Sequence, residues 1–420
     1  MKVVIAGAGI GGLTAALSLE RAGIDVTVFE SVAEIQPLGV GINILPHASR
    51  ELIELGLEKQ IDEFAIRTSA MDYFTNSGVL AISQPCGKHA GYNWPQWSLH
   101  RGELQMMLLD IFRKRAGNDR VVTDAELVDF EQDDDKVIAK FTQSHDGRVF
   151  SVDGDVLIGA DGLHSAVRAR LYPDEGKPVY SGLVLYRGAV EAPQYLDGKT
   201  MIIVGDKRLR LVAYPISQKL QRAGLGRSLI NWIAALPIDE HDAPSEDWTN
   251  LSEQQKLRPR YADWHFDWLD VPPMLAATQE VFEFPVYDRD PLDQWTFGRV
   301  SLLGDAAHPL IPVSSNGAVQ AIIDGRALAH ALATNEQPGI GLRAYEIDRL
   351  EKANGVVRAS RQNGPDEVLE IVAARCPDGA DNIHEFAPLD ELQAVIDEFK
   401  QVAGFHVDTL NARPSYDVTR

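Results

Sequence analysis

Lys2-Val3-Val4-Ile5-Ala6 is a short strand-like run that leads directly into Gly7-Ala8-Gly9-Ile10-Gly11-Gly12. No other stretch restricts the fold as tightly. Behind it, Leu13, Ala16, Leu17 and Leu19 recur at helical spacing, Ala22-Gly23 marks a stop, and Val26-Thr27-Val28-Phe29 reads as a second strand that ends at Glu30. Strand, glycine turn, helix, strand and terminal acid together predict a Rossmann-like α/β unit. The glycines permit a tight turn and close backbone approach to a pyrophosphate, and the helix start offers free N–H groups and a positive dipole end. The Glu30 carboxylate suits a ribose diol, so Gly7, Gly9, Ile10, Gly11, Gly12 and Glu30 are predicted to hold the ADP half of a dinucleotide.

Composition narrows the partners. Forty Lys and Arg against 61 Asp and Glu give a net charge of −21, which argues against nucleic acid, since phosphate binding needs clustered cations. The apolar start is interrupted at Gly7, too early for a signal-peptide core or a membrane span, so a cytoplasmic protein without integral membrane association is expected. Cys86 and Cys376 sit in no CxxC or Cys/His cluster, and no metal site is predicted.

Two later segments repeat the design of a buried strand, a tight turn and a helix start. Val156-Leu157-Ile158-Gly159 runs into Ala160-Asp161-Gly162, and Val300-Ser301-Leu302-Leu303 runs into Gly304-Asp305-Ala306-Ala307-His308-Pro309. In this order and spacing, the glycine turn with Glu30, the Asp161-Gly162 segment and the Gly304-Asp305 segment resemble the three fingerprints of the class A flavoprotein monooxygenases related to para-hydroxybenzoate hydroxylase. The likeness spans about the first 350 residues. It implies FAD as the dinucleotide, with the Asp305 carboxylate toward the ribityl hydroxyls, and extends the cofactor set to Gly41, Arg101, Asp161, Gly304, Asn316, Gly317 and Ala318. Only one strand, GxGxxG and helix unit is evident, so NAD(P)H is expected to bind transiently rather than in a second Rossmann domain.

Within that family, Pro37–Ile44, His100–Met106, Leu211–Ile216 and Asp288–Leu292 resemble the phenazine-type hydroxylases. The implied activity is NAD(P)H- and O2-dependent hydroxylation of a planar aromatic or N-heteroaromatic small molecule through a flavin C4a-hydroperoxide, with decarboxylation where a carboxylate sits on the attacked carbon. A flavin epoxidase, a drug-inactivating hydroxylase and a non-catalytic FAD-fold binding protein are the alternatives. Arg210, Tyr214 and Pro312 are the candidate catalytic residues, and Tyr73, Tyr186, Arg187, Phe284 and Val313 the candidate substrate wall. An inward Arg210 would favour a carboxylate or enolate substrate. His308 is expected to support the Gly-Asp motif by hydrogen bonding. Ser314 stands where the family usually has glycine.

The expected architecture is a discontinuous FAD-binding domain of the para-hydroxybenzoate hydroxylase type at residues 1–70, 95–173 and 286–360. A β-rich substrate domain is placed at 71–94 and 174–285, and a polar helical tail at 361–420. Leu183–Val190, Met201–Val204, Leu209–Pro215 and Val281–Phe284 are expected to form one sheet facing the flavin. A monomer or a homodimer is expected.

Overall fold

The computed structural model describes residues 1–244, 256–312, 315–376, 380 and 382–418. The opening strand Lys2–Ala6 lies inside a six-stranded sheet, parallel to Asp25–Phe29 on one side and to Val156–Gly159 on the other. Val300–Leu302 extends the sheet beside Val156–Gly159, so all three glycine-turn segments leave neighbouring strands at the same edge. Val3, Val4, Ile5, Leu157 and Ile158 are fully buried, which is what a parallel strand covered on both faces requires. The helices Ile10–Arg21, Arg101–Ala116 and Gly317–Thr334 pack over this sheet.

A second, seven-stranded sheet runs in the order Val281–Asp288, Val179–Pro193, Arg227–Pro237, Leu209–Pro215, Met201–Asp206, Ala70–Phe74 and Leu80–Pro85. It contains all four expected strands and adds Arg227–Pro237 at its centre. Because side chains alternate across a strand, this sheet has two different faces. One packs Tyr186, Val204, Trp232 and Ala234 against the segment 257–275. The other packs Tyr73, Met201, Ile203 and Tyr214 against Val368, Leu369, Leu392 and Ile396 of the C-terminal region.

The C-terminal region is helical, with helices Glu367–Arg375, Leu389–Val402 and Val407–Ala412. It is not a loose appendage. Arg413 pairs with the fully buried Glu51, the Asp417 carboxylate accepts from Arg21 at 2.9 Å and Arg326 at 3.3 Å, and the Tyr416 hydroxyl donates to Asp348. These contacts tie the last helices back onto the first domain. Among the described residues, no helix is long and apolar enough to cross a membrane.

Candidate active site

The glycine turn divides its labour. Gly7 has a φ of +106°, and a Cβ there would stand 2.3 Å from the Ala160 carbonyl oxygen. At Gly12 a Cβ would meet the Gly7 carbonyl oxygen at 2.1 Å, and at Gly11 it would meet Leu303 Cδ2 at 2.9 Å. These three positions are closed by packing. At Gly9, by contrast, no described heavy atom lies within 4 Å of where the Cβ would be. Gly9 is also the N-cap of helix Ile10–Arg21, no side chain caps it, and the first turn carries no acid. The result is a helix N-terminus with free N–H groups facing open space, the surface that a pyrophosphate needs. The Glu30 Oε2 accepts from the Ala8 N–H at 2.7 Å, so the acid that ends the second strand also braces the turn.

Among the other predicted cofactor residues, Asp305, Arg101 and Gly317 lie near one another. Asp305 is open to solvent yet surrounded by protein; desolvation raises its pKa while His308 and Arg101 pull it down. A Cβ on Gly317 would be 4.0 Å from the Asp305 Oδ1, and the Arg101 side chain lies 3.5 Å from where a Cβ would stand on Gly39. Burial lowers the Arg101 pKa, with Asp305 opposing. The helix beginning at Arg101 is capped by His100, whose Nδ1 accepts from the Glu103 N–H at 3.3 Å, so Arg101 is free of the capping task. A helix start and carboxylates for hydroxyls fit FAD: Gly9 and Ile10 would offer backbone to the pyrophosphate, Asp305 would offer a carboxylate to sugar-like hydroxyls, Glu30, which already accepts from Ala8, Ser31 and Val32, ends the neighbouring strand, and Gly317 and Ala318 begin a helix packed against Ile10–Arg21.

A buried network, of which the sequence pointed only to His308, anchors the turn that carries Asp305. Asp324 accepts from His308 Nε2 at 2.6 Å, from Arg349 Nε at 2.8 Å and from the Gly304 N–H at 3.1 Å. Burial pushes its carboxyl up, but His308 and Arg349 outweigh that and hold it at about 2. Arg168 is a second tie: its Nη1 donates to the carbonyls of Ala306 at 3.1 Å and Ala307 at 2.9 Å, while its other nitrogens grip Glu175. The visible signal for Asp324 was the one acid in the largely apolar helix Gly317–Thr334. Asp161 differs from its expected role, because its carboxylate accepts from the Ser165 hydroxyl at 2.5 Å and from the Ala166 N–H at 2.8 Å. It caps helix Ala166–Leu171 and so shapes the turn that packs on Gly7.

The sheet face turned toward the tail supplies the facing wall. Gly41 donates its N–H to Asn231 Oδ1 at 2.7 Å, and its carbonyl accepts from Arg187 Nη2 at 2.8 Å. A Cβ on Gly41 would overlap Asn231 and Tyr214 Cε2, both at 2.7 Å. Gly41 is therefore a packing glycine that lets the strand Gly41–Ile44 sit against the sheet. Arg187 also hydrogen-bonds Tyr214 and lies 6.0 Å from the Phe284 ring centre. Burial pushes the Tyr214 phenol up to about 12, so it stays a neutral hydrogen-bonding group. Asn231 was missed, although an Asn between Ile230 and Trp232 in an apolar strand is itself a signal of a buried polar site.

Beside this wall lies an apolar cavity. Met71, Tyr73, Met201 and Ile203 of the sheet, Leu45 and Pro46, and Phe399 and Phe405 of the tail enclose it, and Ser315 borders it. Tyr73, Arg187, Tyr214 and Phe284 thus share one sheet face. Two other residues do not fit their expected places. Tyr186 points to the opposite face, where its hydroxyl donates to Glu283 at 2.9 Å; it neighbours Arg187, and adjacent residues of a strand cannot share a face. Arg210 is buried, but its guanidinium is spent on Asp366 at 2.6 Å and Glu370 at 3.0 Å, so one cation meets two carboxylates and no positive charge is left for a substrate anion. Pro312 is exposed at the start of its loop. Val313 and Ser314 lie outside the described residues.

A glycine-turn dinucleotide site joined to a second β-sheet with an apolar cavity on one face is the architecture expected of an FAD-dependent hydroxylase of aromatic compounds. Residues 1–360 match the family described as FAD binding domain, and the chain belongs to that family. It is 42% identical, over 380 residues, to phenazine 1,6-dicarboxylic acid hydroxylase PhzS of Lysobacter antibioticus, a match covering 90% of this chain and 92% of the relative. It is 30% identical to 6-hydroxynicotinate 3-monooxygenase of Bordetella bronchiseptica, over 86% of this chain and 91% of the relative. Among solved structures, Klebsiella pneumoniae HpxO complexed with FAD and uric acid superposes with a TM-score of 0.74 at 26% identity, covering 98% of this chain and 96% of that one. The chain is accordingly an FAD-dependent monooxygenase with NAD(P)H as its transient reductant.

Proposed function

We propose that this enzyme hydroxylates a planar, N-heteroaromatic compound of the phenazine class, bound in the cavity between the sheet and the C-terminal helices. The observation that carries this reading is the lining of the cavity, about 60 Å³ as it stands: two methionines, two isoleucines and aromatic rings, a surface that fits flat polarizable rings once its flexible methionines move aside. The likeness to the phenazine hydroxylase over nine-tenths of the chain supports the same class.

FAD, when bound, supplies the redox chemistry, taking a hydride from NAD(P)H and passing electrons to O2. The protein's own residues do the rest. Gly9 and the helix start bind pyrophosphate, and Asp305, held by the His308, Asp324 and Arg349 network, presents a fixed carboxylate. Arg187, anchored on the Gly41 carbonyl and Tyr214, holds a half-buried positive charge on the sheet face beside the cavity, where it would favour negative charge on a ring that extends to it. Tyr214 is neutral and can donate a hydrogen bond. The tail closes the cavity against water, which strengthens each of these interactions.

Anaerobic stopped-flow reduction by NADH and by NADPH tests the class, with phenazine-1,6-dicarboxylate, 6-hydroxynicotinate, urate and salicylate each added in turn. The phenazine should accelerate flavin reduction at least tenfold over the free enzyme. Faster reduction with one of the monocyclic compounds, and none with the phenazine, would overturn the proposed class.

A further inference from the structure

The C-terminal segment brings a carboxylate to the cavity that the mechanism above does not use. Asp366 lines the cavity together with Pro365, Lys400 and Tyr73. It is 3% exposed, yet only its Oδ2 is engaged, by Arg210 Nη1 at 2.6 Å; its Oδ1 is buried and has no hydrogen-bond partner among the described residues. Buried carboxylate oxygens are rarely left without a donor, so a residue that borders the cavity carries one acceptor the described chain does not satisfy.

The surroundings decide what kind of group that is. Arg210 is shared between Asp366 and Glu370, which leaves the cluster with one positive and two negative charges. A second anion brought here would be repelled, whereas an N–H or O–H is attracted. The position is also rigid. Asp366 ends a short 3-10 turn that follows Asn363, whose φ is +65°, and its N–H donates to the Asn363 carbonyl at 3.2 Å. Lys400 lines the same cavity, its Nζ donating to Gln84 Oε1 at 3.1 Å and pairing with Asp397 at 3.4 Å.

We propose that Asp366 is a specificity-determining residue, whose Oδ1 accepts a hydrogen bond from an N–H or O–H on the substrate ring. The proposal rests on the cavity being the pocket for a phenazine-class ligand. Burial pushes the Asp366 carboxyl up to about 6 against the opposing pull of Arg210, so at pH 7.5 it is an ionised acceptor.

The test uses the FAD-loaded enzyme at pH 7.5 and two probes, 1-hydroxyphenazine and its methyl ether 1-methoxyphenazine, which lacks the donor and is one methyl larger, titrated by the change in flavin absorbance; the variants below separate the lost donor from the added bulk. The wild-type enzyme should bind the hydroxyl compound about tenfold more tightly, the scale of one hydrogen bond to a charged group. In Asp366→Asn the single amide oxygen must turn to accept from Arg210, which leaves an NH2 donor in place of Oδ1 and should bring the two affinities within twofold, while Glu370→Gln, which leaves Oδ1 untouched, should keep the tenfold ratio. Equal affinities in the wild type, or an unchanged ratio in Asp366→Asn, would overturn the proposal while leaving the phenazine reading intact. If Asp366→Asn fails to retain flavin, the wild-type ratio alone decides. Binding of neither probe would instead overturn the pocket assignment, and this proposal with it.

Discussion

Acid should loosen this enzyme at a specific buried ring. His47 lies in the first turn of helix Pro46–Glu54, stacked on Phe405 with ring centres 4.7 Å apart and planes 8° from parallel. Burial, reinforced by the nearby Arg413 and opposed by Asn316, pushes its pKa down to about 3. The unfolded chain holds the same ring at about 6.5. Above that pH both states are neutral and His47 imposes no pH dependence. Below it the unfolded chain takes a proton that the folded protein refuses, so stability is lost as pH falls from about 6.5 toward 3. At pH 5 the unfolded state is favoured through this group by about 2 kcal/mol. His47→Leu keeps an apolar side chain against Phe405 and removes the titration. Urea unfolding, followed by tryptophan fluorescence at pH 7.5 and pH 5, should show the wild type losing about 2 kcal/mol more than the variant between the two. The difference of slopes is the observable, because the substitution also shifts the baseline at every pH. Identical pH dependence in the two proteins would refute the assignment of a buried neutral imidazole. The consequence reaches the cavity, since Pro46 precedes His47 and Phe405 is part of the wall.

Gly9→Ala should fold with a nearly unchanged melting temperature but bind FAD at least tenfold more weakly, since its methyl enters the open side of the turn, whereas Gly12→Ala should lose stability because its methyl meets the Gly7 carbonyl; flavin titration and thermal melting separate the two. Arg210→Ala strands two carboxylates in the interior and should cost about 3 kcal/mol in urea unfolding, much more than an exposed ion pair would. Tyr186→Phe removes one buried hydrogen bond to Glu283 and should cost about 1 kcal/mol, with ligand-accelerated flavin reduction unchanged. A large loss of that acceleration would return Tyr186 to the substrate wall.

Much of the cofactor half was legible because its chemistry is local. The run from Lys2 to Glu30 contains a strand, its turn, its helix and the acid that braces the turn, and the Ala8 to Glu30 hydrogen bond spans only 22 residues. Glycine in such a turn is required by sterics that any chain obeys, and the charge balance that argued against nucleic acid needs no fold at all. The substrate half was not legible in the same way. Gly41 meets Asn231 across 190 residues, and Arg210 meets Asp366 across 156. No spacing rule predicts such encounters, which depend on how the sheet twists and where the tail lands. Strand parity alone separates Arg187 from Tyr186, yet which parity faces the cavity was decided by the apolar cover at 257–275, which claimed the other side. The C-terminal helices read as a polar tail from composition; packing made them a wall, because the apolar face carrying Tyr73, Met201 and Ile203 had to be buried against something, and Val368, Leu369 and Ile396 are what the chain supplies. Sequence by itself determined a dinucleotide-binding α/β unit and the acids that serve it. Tertiary structure decided which charges are free and which are spent, because an ion pair exists only where two distant backbones bring its partners within a few ångströms.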